Sequence, residues 1–124
     1  MKIIVIDDDI SILGMLSAYF KEKGIDGIFL SDPSLAESQI KEHKPDCVLI
    51  DLKMGPPTGK EIIVHLRAEG IKVPIIVMSA FVTYALESEI KKLGIRKFLY
   101  KPFDLKEMDK MIASATRKST SVHT

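Results

Sequence analysis

Short apolar runs that stop abruptly on polar side chains recur along this chain, and they constrain its fold more than any other feature. The run 47–50 stops at Asp51, and the run 3–6 stops at three consecutive aspartates, 7–9. Runs of this length and β-branched content are typical of strands buried on both faces, which occur in parallel sheets covered by helices. Because the carboxyl ends of such strands line the crevice where ligands bind, we expect these polar side chains to form one site.

Three more runs complete the pattern. The run 74–78 stops at Ser79, the run 97–100 stops at Lys101, and a weaker strand is predicted over 27–30. Each strand is followed by a segment with helical periodicity. The alternation predicts an α/β fold: a single doubly wound, five-stranded parallel sheet with five helices. Right-handed crossovers favour the flavodoxin-like strand order 2-1-3-4-5.

Capping residues and apolar spacing predict where several elements begin and end. Asp9 and Asp104 are expected to cap the first and last helices, and Ile10 is expected on the inward face of the first. The fourth strand is predicted over 73–78 and the fourth helix over about 82–93.

Length and composition predict one domain in a reducing compartment. We expect the 124 residues to form one domain over 1–118, with a polar, frayed tail over 119–124. The formal charge of +1 argues against direct nucleic-acid binding. A single cysteine, Cys47, within an apolar run favours a cytoplasmic setting. No apolar stretch reaches the roughly 18 residues that a membrane helix needs, and no signal peptide is visible.

The predicted cluster of carboxylates requires a counter-charge. Asp7, Asp8 and Asp51 together carry −3, which Mg²⁺ and Lys101 together would balance with +3. Mg²⁺ takes oxygen ligands and retains several waters, so it suits such a cluster. The charges exclude a metal-free phosphate pocket. The alternative is a set of loop acids that are solvated separately.

Five motifs occur in an order and spacing that are highly specific together, although each is weak alone. They are Ile-Asp-Asp at 6–8, Asp51, Gly59, Met-Ser-Ala at 78–80 and Lys-Pro-Phe at 101–103. With these motifs the chain resembles, over about residues 2 to 117, the receiver domain of two-component response regulators.

The resemblance implies that Asp51 accepts a phosphoryl group from a phosphohistidine on a sensor histidine kinase or a histidine phosphotransfer protein. It implies Mg²⁺ as cofactor, bound by Asp8, by Asp51 and by the backbone carbonyl of Lys53. Asp7 would act mainly through ordered water. The chain would then not be an enzyme that acts on other substrates, since it would catalyse only its own phosphorylation and dephosphorylation.

The resemblance also implies a switch. Lys101 and Ser79 would each contact a phosphoryl oxygen. Phe98, three residues before the lysine, would turn inward and repack the face formed by helix 4, strand 5 and helix 5. That face would contact a downstream effector protein or domain, and it could also form a dimer on phosphorylation. For Phe98, ordinary core packing is the alternative.

Two residues are predicted to control the lifetime of the phosphorylated state. Lys53 and Phe81 stand two positions beyond the acceptor and beyond Ser79. Both are bulky enough to hinder an in-line water. The alternative is that both side chains point into solvent.

The chain departs from the family pattern in the loop after the acceptor and agrees with it at a proline after the fifth strand. Gly55 stands where the family usually has proline, and the two prolines of this loop, 56 and 57, follow one position later. The Lys101–Pro102 bond is expected to be cis, as the family suggests.

Two other functions use similar residues. A small Mg²⁺-dependent phosphohydrolase with an aspartyl nucleophile would need an Asp-x-Asp pattern after the first strand and a cap domain. A flavin-binding protein of the same fold would need a Ser/Thr/Gly-rich phosphate loop there. The chain has three aspartates in that place.

Overall fold

The computed structural model of the chain describes residues 1–117, so the predicted tail over 119–124 lies outside the described residues. The strands are β1 (Lys2–Ile6), β2 (Asp26–Leu30), β3 (Cys47–Asp51), β4 (Ile75–Ser79) and β5 (Lys97–Tyr100). The helices are α1 (Ile10–Lys23), α2 (Ala36–His43), α3 (Gly59–Ala68), α4 (Tyr84–Lys92) and α5 (Leu105–Thr116), with a 3-10 turn (Pro33–Leu35) before α2.

The sheet has the predicted strand order. All neighbouring strands are parallel and the order is β2-β1-β3-β4-β5, so the predicted fold class is confirmed. Every residue of β3 and β4 is buried, as expected for strands with helices on both faces. Because successive side chains of a strand point to opposite faces, the sheet divides the interior into two cores. Ile4 and Ile6 pack toward α2 and α3, whereas Ile3 and Val5 pack toward α1 and α5.

Capping holds the helices at the positions that the sequence predicts. The Asp9 side chain accepts hydrogen bonds from the backbone N–H groups of Ser11 and Ile12, and Asp104 accepts one from Lys106. α3 begins with a capping box, in which the side chains of Thr58 and Glu61 each accept a hydrogen bond from the other's backbone N–H. The sequence reasoning did not identify this box.

Three predicted boundaries or orientations are wrong. β4 begins at Ile75 and not at 73, because Pro74 has no N–H for the ladder and the Arg67 guanidinium binds the carbonyl of Val73. α4 begins at Tyr84 because the preceding threonine caps it. Ile10 is 73% exposed, whereas Leu13 of the same first turn is buried in the core, so the buried face of α1 begins at Leu13 and not at its first residue.

No helix within residues 1–117 has both the length and the apolar character needed to cross a bilayer.

Candidate functional site

Three carboxylates meet where β1 and β3 end. Ile6 pairs with Ile50 in the parallel ladder, so the residues that follow them, Asp7 and Asp51, emerge side by side. One carboxylate oxygen from each of Asp7, Asp8 and Asp51 lies within 4.8 Å of the others. Asp7 and Asp51 are buried, and Asp8 is exposed. The acids that the sequence predicted to converge therefore do so.

Lys101 lies between the two buried acids. Its Nζ donates hydrogen bonds to Asp7 Oδ2 at 2.7 Å and to Asp51 Oδ2 at 2.9 Å. Its own backbone N–H donates to the carbonyl of Ser79 at 2.8 Å, which ties the end of β5 to the end of β4. The Lys101–Pro102 peptide bond is cis, as predicted. The lysine thus reaches across β4 to a site on β1 and β3.

Backbone N–H groups hold the other oxygen of each buried acid. Asp7 Oδ1 accepts from the N–H of Asp9, and Asp51 Oδ1 accepts from the N–H of Lys53, both at 2.9 Å. Each carboxylate therefore has one oxygen on the backbone and one on Lys101. This fixes the orientation of both groups before any ligand binds.

The charges leave the site short of cations. Three carboxylates and one ammonium sum to −3 + 1 = −2. Burial raises the pKa of Asp7, against the opposing effect of its hydrogen bond from Lys101. Burial alone would lower the pKa of Lys101, but hydrogen bonds to Asp7 and Asp51 outweigh it and raise that pKa. The lysine stays protonated, and the remaining negative charge suits a divalent cation with oxygen ligands.

Ser79 ends β4 beside the acceptor strand, where Met78 pairs with Asp51. The serine is buried, and its Oγ donates to the backbone carbonyl of Phe81 at 3.0 Å. The hydroxyl is thus engaged within its own loop and would have to rotate in order to reach a group on Asp51.

The comparisons with known proteins agree with this geometry. The family model of the response regulator receiver domain matches residues 3–113. The chain belongs to this family. Its general function is to accept a phosphoryl group in two-component signalling.

Individual relatives give the same picture. The DNA-binding response regulator MtrA of Mycolicibacterium smegmatis is 32% identical over 95% of this chain and 51% of MtrA. The chain therefore spans about half the length of that relative. The receiver domain of the Francisella response regulator 1452 is 30% identical, with a TM-score of 0.84 over 93% of this chain and 95% of that one. A response regulator receiver protein from Pseudomonas putida is 26% identical, with a TM-score of 0.83 over 91% of this chain and 95% of that one.

Close packing against the acceptor strand requires glycine at position 59 of this receiver domain. A Cβ at this position would lie 2.4 Å from the backbone oxygen of Asp51 and 2.8 Å from the Cα of Leu52. No side chain could be accommodated without moving the start of α3 away from the acceptor strand. The glycine therefore permits the close packing that fixes the backbone of Asp51.

The loop that follows the acceptor carries the departure at Gly55. Gly55 is exposed, and an added Cβ would meet nothing within 4 Å. The Pro56–Pro57 bond is cis, which the sequence reasoning did not predict. Met54 is buried in the core beneath this loop.

Three predicted residues remain, two in the loops after β3 and β4 and one on β5. Lys53 and Phe81 are both exposed, and the Lys53 Nζ lies 5.8 Å from the centroid of the Phe81 ring. Phe98 is half-buried and packs against the core on the α3 side. This packing agrees with an ordinary core residue, and the switch role of Phe98 stays a prediction.

Sequence reasoning missed an apolar surface beside the site. Ile12 and Met15 of α1 line a cavity of about 480 Å³ together with Lys101 and Phe103. The exposed Ile10 precedes them on the same helix. The sequence did contain a sign of this surface, because α1 has more apolar residues than its buried face, Leu13, Leu16 and Phe20, uses.

Proposed function

We propose that Asp51 accepts a phosphoryl group from a phosphohistidine on a sensor histidine kinase or histidine phosphotransfer protein in the cytoplasm. The observation that carries the proposal is the fixed orientation of Asp51. One of its oxygens is held by the N–H of Lys53 and the other by Lys101, at the end of a fully buried strand. A pre-oriented nucleophile beside a cation is what phosphoryl transfer requires, since positioning and charge stabilisation supply most of its catalysis.

The residues present fit Mg²⁺. Their carboxylate oxygens are hard donors within 4.8 Å of one another, and they carry more negative charge than Lys101 balances. Asp8 and Asp51 would bind the ion directly, together with the carbonyl of Lys53, and Asp7 would act through water. When bound, the ion would draw negative charge from the phosphoryl oxygens.

The chain's own side chains would then rearrange. Lys101 would exchange one of its carboxylate partners for a phosphoryl oxygen, as a point charge on a flexible stem can do. The Ser79 hydroxyl would leave the carbonyl of Phe81 and donate to another phosphoryl oxygen. Ser79 is buried, so its rotation would alter the packing around it.

That change of packing would reach the face formed by α4, β5 and α5. Phe98 lies on β5, two strand positions from the exposed Tyr100, and is already half-buried against the core. A further inward turn would couple the phosphorylated site to this face and hence to a downstream effector protein or domain. Dimerisation through the same face on phosphorylation, the other output that the resemblance implies, is disfavoured by Arg96 and Lys97 at the start of β5, which make no ion pair within residues 1–117.

The apolar surface beside the acids supports docking of a protein donor. Ile12, Met15 and Phe103 line one cavity with Lys101 at the edge of the site. A donor that buries this surface would present its phosphohistidine to Asp51 from one direction. We expect no turnover of other phosphate esters, in contrast to the alternative of a small Mg²⁺-dependent phosphohydrolase.

The first test replaces the acceptor. Asp51→Asn should abolish phosphoryl incorporation from acetyl phosphate and Mg²⁺, because the amide keeps the shape of the carboxylate but is no nucleophile. Intact mass spectrometry should show one added phosphoryl group on the wild type. Asp26→Asn, an exposed aspartate on β2, is the matched control and should be labelled normally. Labelling of Asp51→Asn at the wild-type level would show that another residue is the acceptor. Steady hydrolysis of p-nitrophenyl phosphate would favour the phosphohydrolase.

The second test concerns the metal. Asp8→Ala should weaken Mg²⁺ or Mn²⁺ binding at least tenfold, because it removes a carboxylate ligand while leaving both buried acids in place. Binding is measured by calorimetric titration of the unphosphorylated protein. Asp26→Ala should bind as the wild type does. If Asp8→Ala also bound like the wild type, Asp8 would not be a ligand.

A further inference from the structure

An excess of basic side chains surrounds the junction between α4 and β5. Two cavities adjoin there, of about 390 and 250 Å³, and Arg96 lines both. The larger contains Lys91 and Lys92 of α4, and the smaller contains Lys72 and Lys97. We call Lys72, Lys92, Arg96 and Lys97 the basic patch.

The basic patch has no acidic partner of its own. Within residues 1–117, none of its four side chains makes an ion pair with a carboxylate. The acids of α4 are engaged elsewhere: Glu87 pairs with Lys91 at 2.8 Å, and Glu89 pairs with Lys60. The chain carries a formal charge of only +1, so the patch is a local concentration of charge and not part of a uniformly basic surface.

We propose that the basic patch, with the adjoining exposed Tyr84, is the docking surface for an acidic segment of a partner protein. The proposal deepens the proposed function, because it assigns a chemical class to the partner of the α4–β5–α5 face. Tyr84 is 88% exposed at the start of α4 and offers a contact for an apolar side chain among the partner's carboxylates.

Charge complementarity favours this occupant over a second copy of the chain. A two-fold contact places the same patch on both subunits, so four unpaired cations would face or adjoin four others. Like charges at an interface suppress such pairing. The exposed charges of α5 do not offset this, because Lys106 and Lys110 accompany Glu107 on that helix.

The same cavities favour a peptide over a nucleic acid. Glu87 and Ser88 lie within the larger cavity among the lysines. A peptide can offer both carboxylates to the cations and N–H groups to these two acceptors. A DNA phosphodiester backbone offers no N–H or O–H donor to these two acceptors.

The test measures binding of a fluorescein-labelled polyglutamate–leucine peptide by fluorescence anisotropy, with unphosphorylated protein at low and physiological salt. The wild type should bind, more weakly as salt rises. Arg96→Gln with Lys97→Gln should weaken binding about five- to tenfold, as expected when two partly solvated ion pairs are lost. Lys72→Gln with Lys92→Gln should have a similar effect. The matched control, Lys21→Gln with Lys23→Gln on α1, removes the same charge and should bind normally.

Several results would overturn the proposal: absence of binding, equal weakening in the control, or tighter binding of duplex DNA than of the peptide. Patch-dependent self-association in sedimentation experiments would also overturn it, in favour of a second copy. Far-ultraviolet circular dichroism establishes that each variant is folded. Asp51→Asn separates the two hypotheses. Peptide binding that persists when phosphorylation is lost supports the patch, whereas failure of wild-type phosphorylation with intact peptide binding would contradict the proposed function alone.

Discussion

At the residue scale, the two side chains predicted to control the phosphorylated lifetime contact each other. The Lys53 Nζ lies over the Phe81 ring at 5.8 Å from its centroid, a distance typical of a cation–π contact. Phe81 is 61% exposed, and the contact gives it a preferred position beside the acceptor. The pair bridges the loops that follow β3 and β4, the strands that end at Asp51 and Ser79.

We therefore predict that Lys53→Ala and Phe81→Ala each shorten the lifetime of the acyl phosphate about three- to tenfold, because removing either partner releases the other and admits an in-line water. The double variant should lose little more than either single one, since both changes break the same contact. Dephosphorylation is followed by intact mass after removal of acetyl phosphate. Val64→Ala, exposed on α3, is the control. Wild-type lifetimes in both single variants would show that shielding does not set the rate.

At the element scale, the C-terminal end of α4 is held by one residue of α3. The Arg67 guanidinium donates to the carbonyl of Leu93 at 3.0 Å, directly after α4. It also donates to the carbonyls of Ile71 at 2.7 Å and Val73 at 3.0 Å, in the connection between α3 and β4. The far end of α4 adjoins the loop that contains Phe81, so any movement that starts at Ser79 would act on a helix anchored at its other end.

Arg67→Met should lower the free energy of unfolding by about 2 kcal/mol, because three carbonyls lose a charged donor. It should also accelerate amide hydrogen exchange around Leu93. Arg67→Lys should recover only part of the loss, since an ammonium cannot reproduce the planar fork of the guanidinium. Denaturant unfolding and exchange mass spectrometry measure both effects. The exposed Arg96→Met should stay within about 0.5 kcal/mol of the wild type. Equal stability of Arg67→Met and Arg96→Met would refute the anchoring role.

At the scale of the whole molecule, the sequence was informative where periodicity and strand ends decide the structure. Buried apolar runs predicted the parallel sheet, and the handedness of its crossovers favoured the observed strand order. The residues at the strand ends predicted the meeting of Asp7, Asp8 and Asp51. Contacts made by long side chains were not predictable in this way. Nothing in the local pattern distinguishes Arg67, which binds three carbonyls, from an arginine in solvent. Apolar spacing likewise did not distinguish Ile10, which is exposed, from Leu13, which is buried one turn later.

The two cores on either side of the sheet should unfold as one cooperative unit. β1 contributes alternate residues to both cores, so neither core can form without the sheet. We predict that Leu16→Ala, on the buried face of α1, and Ile62→Ala, on the buried face of α3, each lower the free energy of unfolding by about 2 to 5 kcal/mol. Either change should accelerate the slowest amide exchange in α1 and α3 by the same factor, as measured by exchange mass spectrometry. Val64→Ala, at an exposed position of α3, should leave the amide exchange of both helices unchanged. If each substitution accelerated exchange only in its own helix, the halves would be separate folding units, and a packing change at the phosphorylated site could remain confined to one face of the sheet.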